Sequence, residues 1–417
     1  MYKVNPIIRW WVTPKLPENH IFIGGDSRPK ESSALLGIYV RRWLIHPIKR
    51  RIAKYYLAIL RRFFGIKVIG ITGSTGKTST KEMITSIVRQ IGKTTSSYAN
   101  IDPVYNIPST ILRCSPSTKF LVLEMSVEFP GEIDFYLWLA KPDIGVLTNI
   151  YPTHTLFFGD VEGVFKEKSK LVKGLNMNGV AVLNKDDKFL SKLKNNLKNR
   201  IVWFGKGTNV MSQDERVTND LKTKFLLAIN QDAKKKAKIT LPVLGKQFIS
   251  NALAASGVAY ALGIGIGEIK RGLEGYSTPE HRMNVIKLKS GAIIIDDSYN
   301  NNPIAARESV FTLKELPGDK VVVFGDMLEL GSWEEKYHIE LGKYIAKLNP
   351  KLLICVGKAS KKTAYAAANI IGEKSVVTVS SWQEAVSPLK PNLTKGTFVL
   401  IKGSRSLGLE RLVSKLS

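Results

Sequence analysis

The chain has few cysteines, few acidic residues and almost no long apolar run. Two cysteines, Cys114 and Cys355, are too few for a disulfide framework or a cysteine-rich metal site, and they suit a reducing cytosol. The N-terminal MYKVNPIIRWWVTPKLP lacks the unbroken apolar core of a secretory leader. One charge-free stretch, Gln247 to Gly267, is long enough to span a bilayer. Its Asn251, two serines and four glycines predict a buried helix ending near Gly263 instead. Asp and Glu number 35 against 62 Lys and Arg, a net charge of +27 that favours nucleotides, nucleic acid or an acidic membrane face as partners. With 44% hydrophobic and 23% charged residues over 417 positions, disorder and low complexity are excluded and two or three domains are expected.

The charge is uneven. Residues 1–67 hold 14 basic and 3 acidic residues, a net +11. Pro47 suits the first turn of a helix, and Ile48, Ile52, Tyr56, Ile59, Leu60 and Phe63 then share one face, with Lys49, Arg50, Arg51, Lys54, Arg61 and Arg62 over much of the rest. Such a helix either lies on an anionic membrane or packs its apolar face on the next domain, and amphipathicity alone does not separate the two.

From Lys67 short β-branched runs alternate with helical stretches. Strands are expected at Lys67–Ile71, Phe120–Glu124, Ile144–Thr148, Val180–Asn184 and Ile201–Phe204. Helices are expected at Thr78–Ile91, Glu132–Ala140, Val161–Leu175 and Lys188–Leu197. This alternation predicts an α/β fold with a mostly parallel sheet covered on both faces. A strand pair is expected within 223–242, then the charge-free helix and another near Ile266–Gly275. After STPEHR (277–282) the pattern restarts. A hairpin of Val285–Lys289 and Ala292–Asp296 leads to strands at Val321–Phe324, Leu352–Val356, Val376–Val379 and Phe398–Ile401, a second, smaller Rossmann-like α/β domain. The expected units are 1–65, a basic amphipathic segment; 66–282, a nucleotide-binding domain; and 283–417.

VIGITGSTGKTST (68–80) is the strongest local signal. A strand runs into Gly73, Ser74, Thr75, Gly76, Lys77, Thr78 and Ser79 and then into a helix. Glycines let the backbone N–H groups turn toward phosphate oxygens at the helix N-terminus. Lys77 is placed to neutralise the β- and γ-phosphates of ATP and the Thr78 hydroxyl to face Mg²⁺. Gly73 and Gly76 lie two residues closer together than in the common phosphate-loop spacing.

That shorter loop resembles the Mur ligases, which join amino acids or peptides to a cell-wall precursor at the expense of ATP. SYNNNP (298–303) after Asp296-Asp297, GDMLELG (325–331) and KGSR (402–405) are similar to the branch that joins D-alanyl-D-alanine to a muramoyl-tripeptide through an acyl phosphate. The likeness runs in order through residues 67–417. It implies Mg²⁺ held by Thr78, Glu124 at the end of FLVLE, His154 and a carbamylated Lys168. It assigns adenine contact to Asn251, and phosphate and ribose contacts to Arg282 and Asp297. It leaves the acceptor and dipeptide to Asn300, Asn302, Lys402 and Arg405. Lys77, Lys168, His154 and Arg282 are the implied catalytic set.

The sequence departs from the family at Lys170, where a glutamate is common, at Gln247-Phe248, and at Asn100-Ile101-Asp102-Pro103 with Asn106. Residues 1–65 show no match to the family's UDP-gripping domain, so either the basic segment is expected to bind the diphosphate through Arg and Lys, or the acceptor is expected to differ and to be presented at the membrane. The resemblance implies a cytoplasmic monomer, at most peripheral to the membrane. Folate or peptide polyglutamylation is the neighbouring alternative, opposed by the three downstream motifs. A nucleic-acid-associated ATPase has the charge in its favour but shows no recognisable nucleic-acid module.

Overall fold

The computed structural model describes residues 37, 40, 44–98, 101–153, 155–230 and 235–417. Two sheets organise them. The first has nine strands in the order β2-β3-β1-β4-β5-β6-β7-β8-β9. Strand β1 (Lys67–Thr72) lies in its parallel part, paired with β3 (Phe120–Glu124) on one side and β4 (Ile144–Leu147) on the other. Outward from these run β2 (Thr94–Ser96), and β5 (Val180–Asn184) with β6 (Arg200–Phe204), all parallel. These short runs are apolar on both faces because helices cover both, and five of six β1 residues are buried.

Helices α1 (His46–Phe64), α2 (Lys77–Val88), α3 (Pro103–Leu112), α4 (Glu132–Ala140), α5 (Val161–Lys173), α6 (Gln247–Ala261) and α7 (Ile266–Glu274) accompany this sheet. Beyond β6 the sheet turns antiparallel through β7 (Val210–Val217), β8 (Thr223–Ile229) and β9 (Lys236–Leu241). The expected pair is thus a meander of three. β7 escapes a hydropathy reading because VMSQDERV is polar and mostly solvent-facing. The helix expected over Lys188–Leu197 is a single turn, Lys188–Ser191, followed by a 3₁₀ turn, Lys192–Asn195.

The second sheet has the order β10-β11-β15-β12-β13-β14. β10 (Asn284–Lys287) and β11 (Ile293–Asp297) form the antiparallel hairpin, and β11, β15 (Thr397–Lys402), β12 (Asp319–Gly325), β13 (Leu352–Val356) and β14 (Val376–Val379) run parallel. Helix α8 (Pro303–Lys314) begins at an Asn302 cap, whose side chain accepts from Ala305 N. The charge-free helix is α6, with Asn251 and Ser256 buried along it. Among the described residues no helix is long and apolar enough to cross a membrane.

α1 packs on α3 and α4, but with a different face from the apolar one. His46, Arg50, Ala53, Leu57 and Leu60 are buried, whereas Ile48, Ile52, Ile59 and Phe63 are exposed. Specific partners explain the rotation. The His46 ring lies 3.0 Å from Val104 O, the Arg50 guanidinium sits 5.7 Å from the Phe135 ring, and Tyr56 OH donates to Cys114 O at 2.8 Å.

Gly272 on α7 lies so close to α2 that a Cβ there would stand 2.5 Å from Ile87 Cα, a backbone atom that cannot yield. Ser86 Oγ donates to Gly272 O at 2.6 Å across the same contact. Gly272→Ala is therefore expected to destabilise the first domain by about 1–3 kcal/mol despite the better helix propensity of alanine, as measured by urea unfolding.

Candidate functional site

β1 ends in the middle of the parallel sheet, and its continuation curls over the strand ends, where open α/β sheets bind ligands. The loop is held by the segment after β4. Thr148 Oγ1 donates to Thr75 O at 2.7 Å, Ser74 N to Asn149 O at 2.9 Å, and Thr75 N to Asn149 Oδ1 at 2.8 Å. Ser74 Oγ and Tyr151 exchange hydrogen bonds, each at 2.9 Å. Both loop glycines have positive φ, 149° at Gly73 and 76° at Gly76. A Cβ would meet Thr148 Oγ1 at 1.9 Å from the first and Asn251 Oδ1 at 2.2 Å from the second. Two glycines at this spacing are thus required by packing as well as by conformation. Gly76 caps α2, so the free N–H groups of that helix open at the loop.

Around the loop cations outnumber the carboxylates they touch. Lys77 Nζ donates to Ser74 O at 3.3 Å, and its ammonium is pushed below the usual range by burial, with Glu124 opposing and Arg282 reinforcing. Lys168, on α5, is 1% exposed, and its Nζ lies 3.1 Å from Ser74 Oγ and 3.4 Å from Thr153 Oγ1. Burial, then the nearby Lys77 charge, pushes it well below an ordinary lysine. Arg282 reaches in from the seam between the two domains: Nη2 donates to Thr78 Oγ1 at 3.2 Å, and its Nε is buried without a partner among the described residues. Such an assembly suits an anion, whose oxygens would supply the counter-charge and acceptors that it lacks.

Among the described residues no three His, Cys, Asp or Glu side chains gather into a metal cage. The oxygen donors instead converge pairwise, with Thr78 Oγ1 3.2 Å from Glu124 Oε1 and Ser126 Oγ donating to the same oxygen at 2.9 Å. Hard oxygens, one of them a carboxylate, beside a phosphate loop fit Mg²⁺, which takes few protein ligands and completes its shell with phosphate and water. His154 lies outside the described residues.

A cleft of about 370 Å³ runs from this loop to the second domain. It is lined by Ser74 through Ser79, Glu124 and Asn251 on one side and by Arg282, Asp297, Asn300, Asn302, Lys402 and Arg405 on the other. Gly73 lies at the base of the loop and Lys168 beneath Ser74. Several of these side chains are already engaged. Lys402 Nζ is 2.6 Å from Asp297 Oδ2 and 3.0 Å from Asn300 O, and Ser309 Oγ also donates to Asp297 Oδ2 at 2.6 Å. Asn302 caps α8. Asp296 turns away from the cleft to bind His281 Nδ1 at 2.7 Å and the Ser298 hydroxyl at 2.6 Å. Asp326 of GDMLELG accepts from Lys358 N and Ser360 N, so that motif braces the second domain.

Sequence reading missed Asn149, Ser126, Tyr299 and Glu308. Asn149 and Ser126 follow strand ends, a signal that was available. Tyr299 stands between the Arg282 and Arg405 guanidiniums, 4.4 and 5.5 Å from its ring, and no local pattern announces that sandwich. His281 (φ 61°) and Met283 (φ 56°) flank Arg282 in the left-handed region, at about 1–2 kcal/mol each. The His281–Asp296 bond, the burial of Met283 and a 2.7 Å bond from Arg282 N to Asn284 Oδ1 hold them there.

Fold and site together define a two-domain α/β protein with a phosphate loop facing the junction of its domains. Residues 71–259 match the Mur ligase middle domain and residues 281–405 the Mur ligase glutamate ligase domain. The chain belongs to the Mur ligase family. It is 34% identical over 353 residues to the UDP-N-acetylmuramoyl-tripeptide–D-alanyl-D-alanine ligase of Buchnera aphidicola, covering 84% of this chain and 75% of that one. It is 31% identical over 365 residues to the Escherichia coli protein of the same name, covering 86% and 78%. Among solved structures, MurF from Acinetobacter baumannii superposes with a TM-score of 0.80 at 28% identity, over 89% of this chain and 80% of that one. MurF from Thermotoga maritima, in complex with ADP, also reaches 0.80, at 25% identity, over 92% and 91%.

Glu308, on α8 at the cleft, has its carboxyl pushed up to about 7 by burial, with Lys402 opposing and Asp297 reinforcing. The fold therefore favours the protonated acid. This contribution is complete below the unfolded value of 4.5 and is lost as pH rises through about 7. Glu308→Gln is expected to flatten the pH dependence of stability across that window, as read by urea unfolding.

Proposed function

We propose that the chain is an ATP-dependent amide ligase of peptidoglycan precursor synthesis, joining D-alanyl-D-alanine to a muramoyl-tripeptide with formation of ADP and phosphate. The meeting of Lys77, Thr78 and Arg282 across the domain junction carries this reading, and the likeness to ligases so named supports it. The working units are 66–282 and 283–417, with Arg282 at the seam.

A carboxylate is a poor electrophile. One of its oxygens therefore attacks the γ-phosphorus of ATP, the bond to the β–γ bridging oxygen breaks and ADP leaves. The dipeptide amine then attacks the acyl carbon, phosphate departs and the amine loses its proton. Catalysis rests on positioning and on cations around the transferring group. Gly73 to Ser79 cradle the phosphates, and Lys77 neutralises the β- and γ-oxygens. Arg282 adds its charge only when the second domain is closed, because the two domains supply its two ends. Asn251, against Gly76, takes the adenine side, and Asp297, fixed by Lys402 and Ser309, takes the ribose. Asn300, Asn302 and Arg405 face the acceptor and dipeptide, with the Arg405 guanidinium for the terminal carboxylate. Thr78, Glu124, His154 and a carbamylated Lys168 would hold Mg²⁺, which supplies Lewis-acid polarisation and charge neutralisation.

The buried Lys168 amine suits the carbamate. A neutral amine adds to carbon dioxide, forming an N–C bond and releasing a proton, and the resulting anion answers the Lys77 charge beside it. The same reading makes the enzyme a cytoplasmic monomer, at most peripheral to the inner face of the membrane.

Purified chain with ATP, Mg²⁺, UDP-muramoyl-tripeptide and D-Ala-D-Ala is expected to yield ADP and the pentapeptide product. Turnover with L-glutamate but not D-Ala-D-Ala would assign it to the polyglutamylating branch. Lys77→Ala is expected to lower kcat by roughly a thousandfold. Lys168→Ala is expected to lose activity and to regain part of it with short-chain carboxylates, whereas Lys77→Ala shows no such rescue. An unrescued Lys168→Ala whose wild-type counterpart shows no carbamate carbon resonance would remove the carbamate.

A further inference from the structure

We infer that the outward face of α1 is a docking surface for anionic phospholipid. The inference deepens the membrane-peripheral placement above and is independent of the ligation chemistry. α1 is anchored as a rigid part of the first domain, not as a loose arm. Besides the His46 and Tyr56 contacts, Lys49 Nζ donates to Ser109 Oγ at 2.7 Å, Lys54 Nζ sits 4.2 Å from the Trp138 ring and Arg61 pairs with Asp143 at 3.4 Å. What remains outside is a continuous apolar stripe at three- and four-residue spacing: Ile45, Ile48, Ile52, Tyr55, Ile59 and Phe63. These are 54, 47, 54, 66, 49 and 71% exposed. A large contiguous exposed apolar stripe on a soluble domain marks an interaction surface.

Its surroundings select the occupant. α1 carries six Lys or Arg and no Asp or Glu. By helical spacing Arg51 and Arg62 border the stripe on one side, with Arg62 exposed, so an aliphatic stem and a charged head lie where an interfacial helix meets headgroups, while Lys49 on the other margin is turned to Ser109. A second copy of the chain would bring two such basic margins together with no acid between them, which opposes self-pairing. Anionic lipid offers both the apolar layer and the negative charge. α1 rests on α3, whose first turn (Asp102, Pro103, Asn106) lines the cleft, so the docked face and the cleft are joined through one packed helix.

The test is co-flotation of the full chain with phosphatidylglycerol–phosphatidylcholine vesicles and with pure phosphatidylcholine vesicles. The wild type is compared with the triple substitution Ile48→Glu, Ile52→Glu, Ile59→Glu, all at exposed positions. The wild type is expected to float only with the anionic vesicles and to release as salt rises. The triple variant is expected to bind at least roughly tenfold more weakly, with an unchanged thermal transition and unchanged turnover of soluble substrates. Absence of wild-type binding, equal binding by the variant, or a wild-type dimer that the substitutions split without vesicles present would each overturn the inference. None of these outcomes depends on whether the chain ligates, so the two readings fail separately.

Discussion

The structure turns on a loop that has no room for side chains. Strand β1 delivers Gly73 to Gly76 into a space already claimed by Thr148 on one side and Asn251 on the other. Thr148 and Tyr151 then donate to Thr75 O and Ser74 Oγ, and Asn149 accepts from Thr75 N, which together fix the course of the loop. The parallel pairing of β1 with β4 brings that clasp within reach, and α6 brings Asn251. A phosphate site built this way is rigid before any nucleotide arrives, so little binding energy is lost to ordering it.

The second theme is charge held where water is scarce. Lys77 and Lys168 are both driven toward the neutral amine, and Arg282 keeps a buried N–H without an acceptor among the described residues. A protein stabilised for its own sake would have paired or removed these groups. Their retention is intelligible as preorganisation toward anions that arrive with the substrates. Lys402 shows the contrast: its side chain is as buried as that of Lys168, but Asp297 and the Asn300 carbonyl answer its charge internally.

What could be read in advance follows the range of the interactions. The phosphate loop, the strand-end Glu124 and the alternation that defines both α/β domains are local patterns, and each was visible as such. The clasp at Asn149 and the Tyr299 sandwich depend on which strand ends and domains meet, which no window of residues encodes. β7 was hidden because a polar, mostly solvent-facing strand has no apolar period to betray it, even paired on both sides. α1 shows a subtler failure. Hydropathy identifies an apolar stripe but not what it faces, and the buried side mixes Ala53, Leu57 and Leu60 with His46 and Arg50, which find an acceptor and an aromatic ring.

The left-handed backbone at His281 and Met283 decides how the residue between them is aimed. The Arg282 guanidinium is brought to Thr78 by main-chain geometry as much as by its own rotamer. A β-branched replacement at either neighbour, which resists positive φ, would therefore misdirect that guanidinium without touching it.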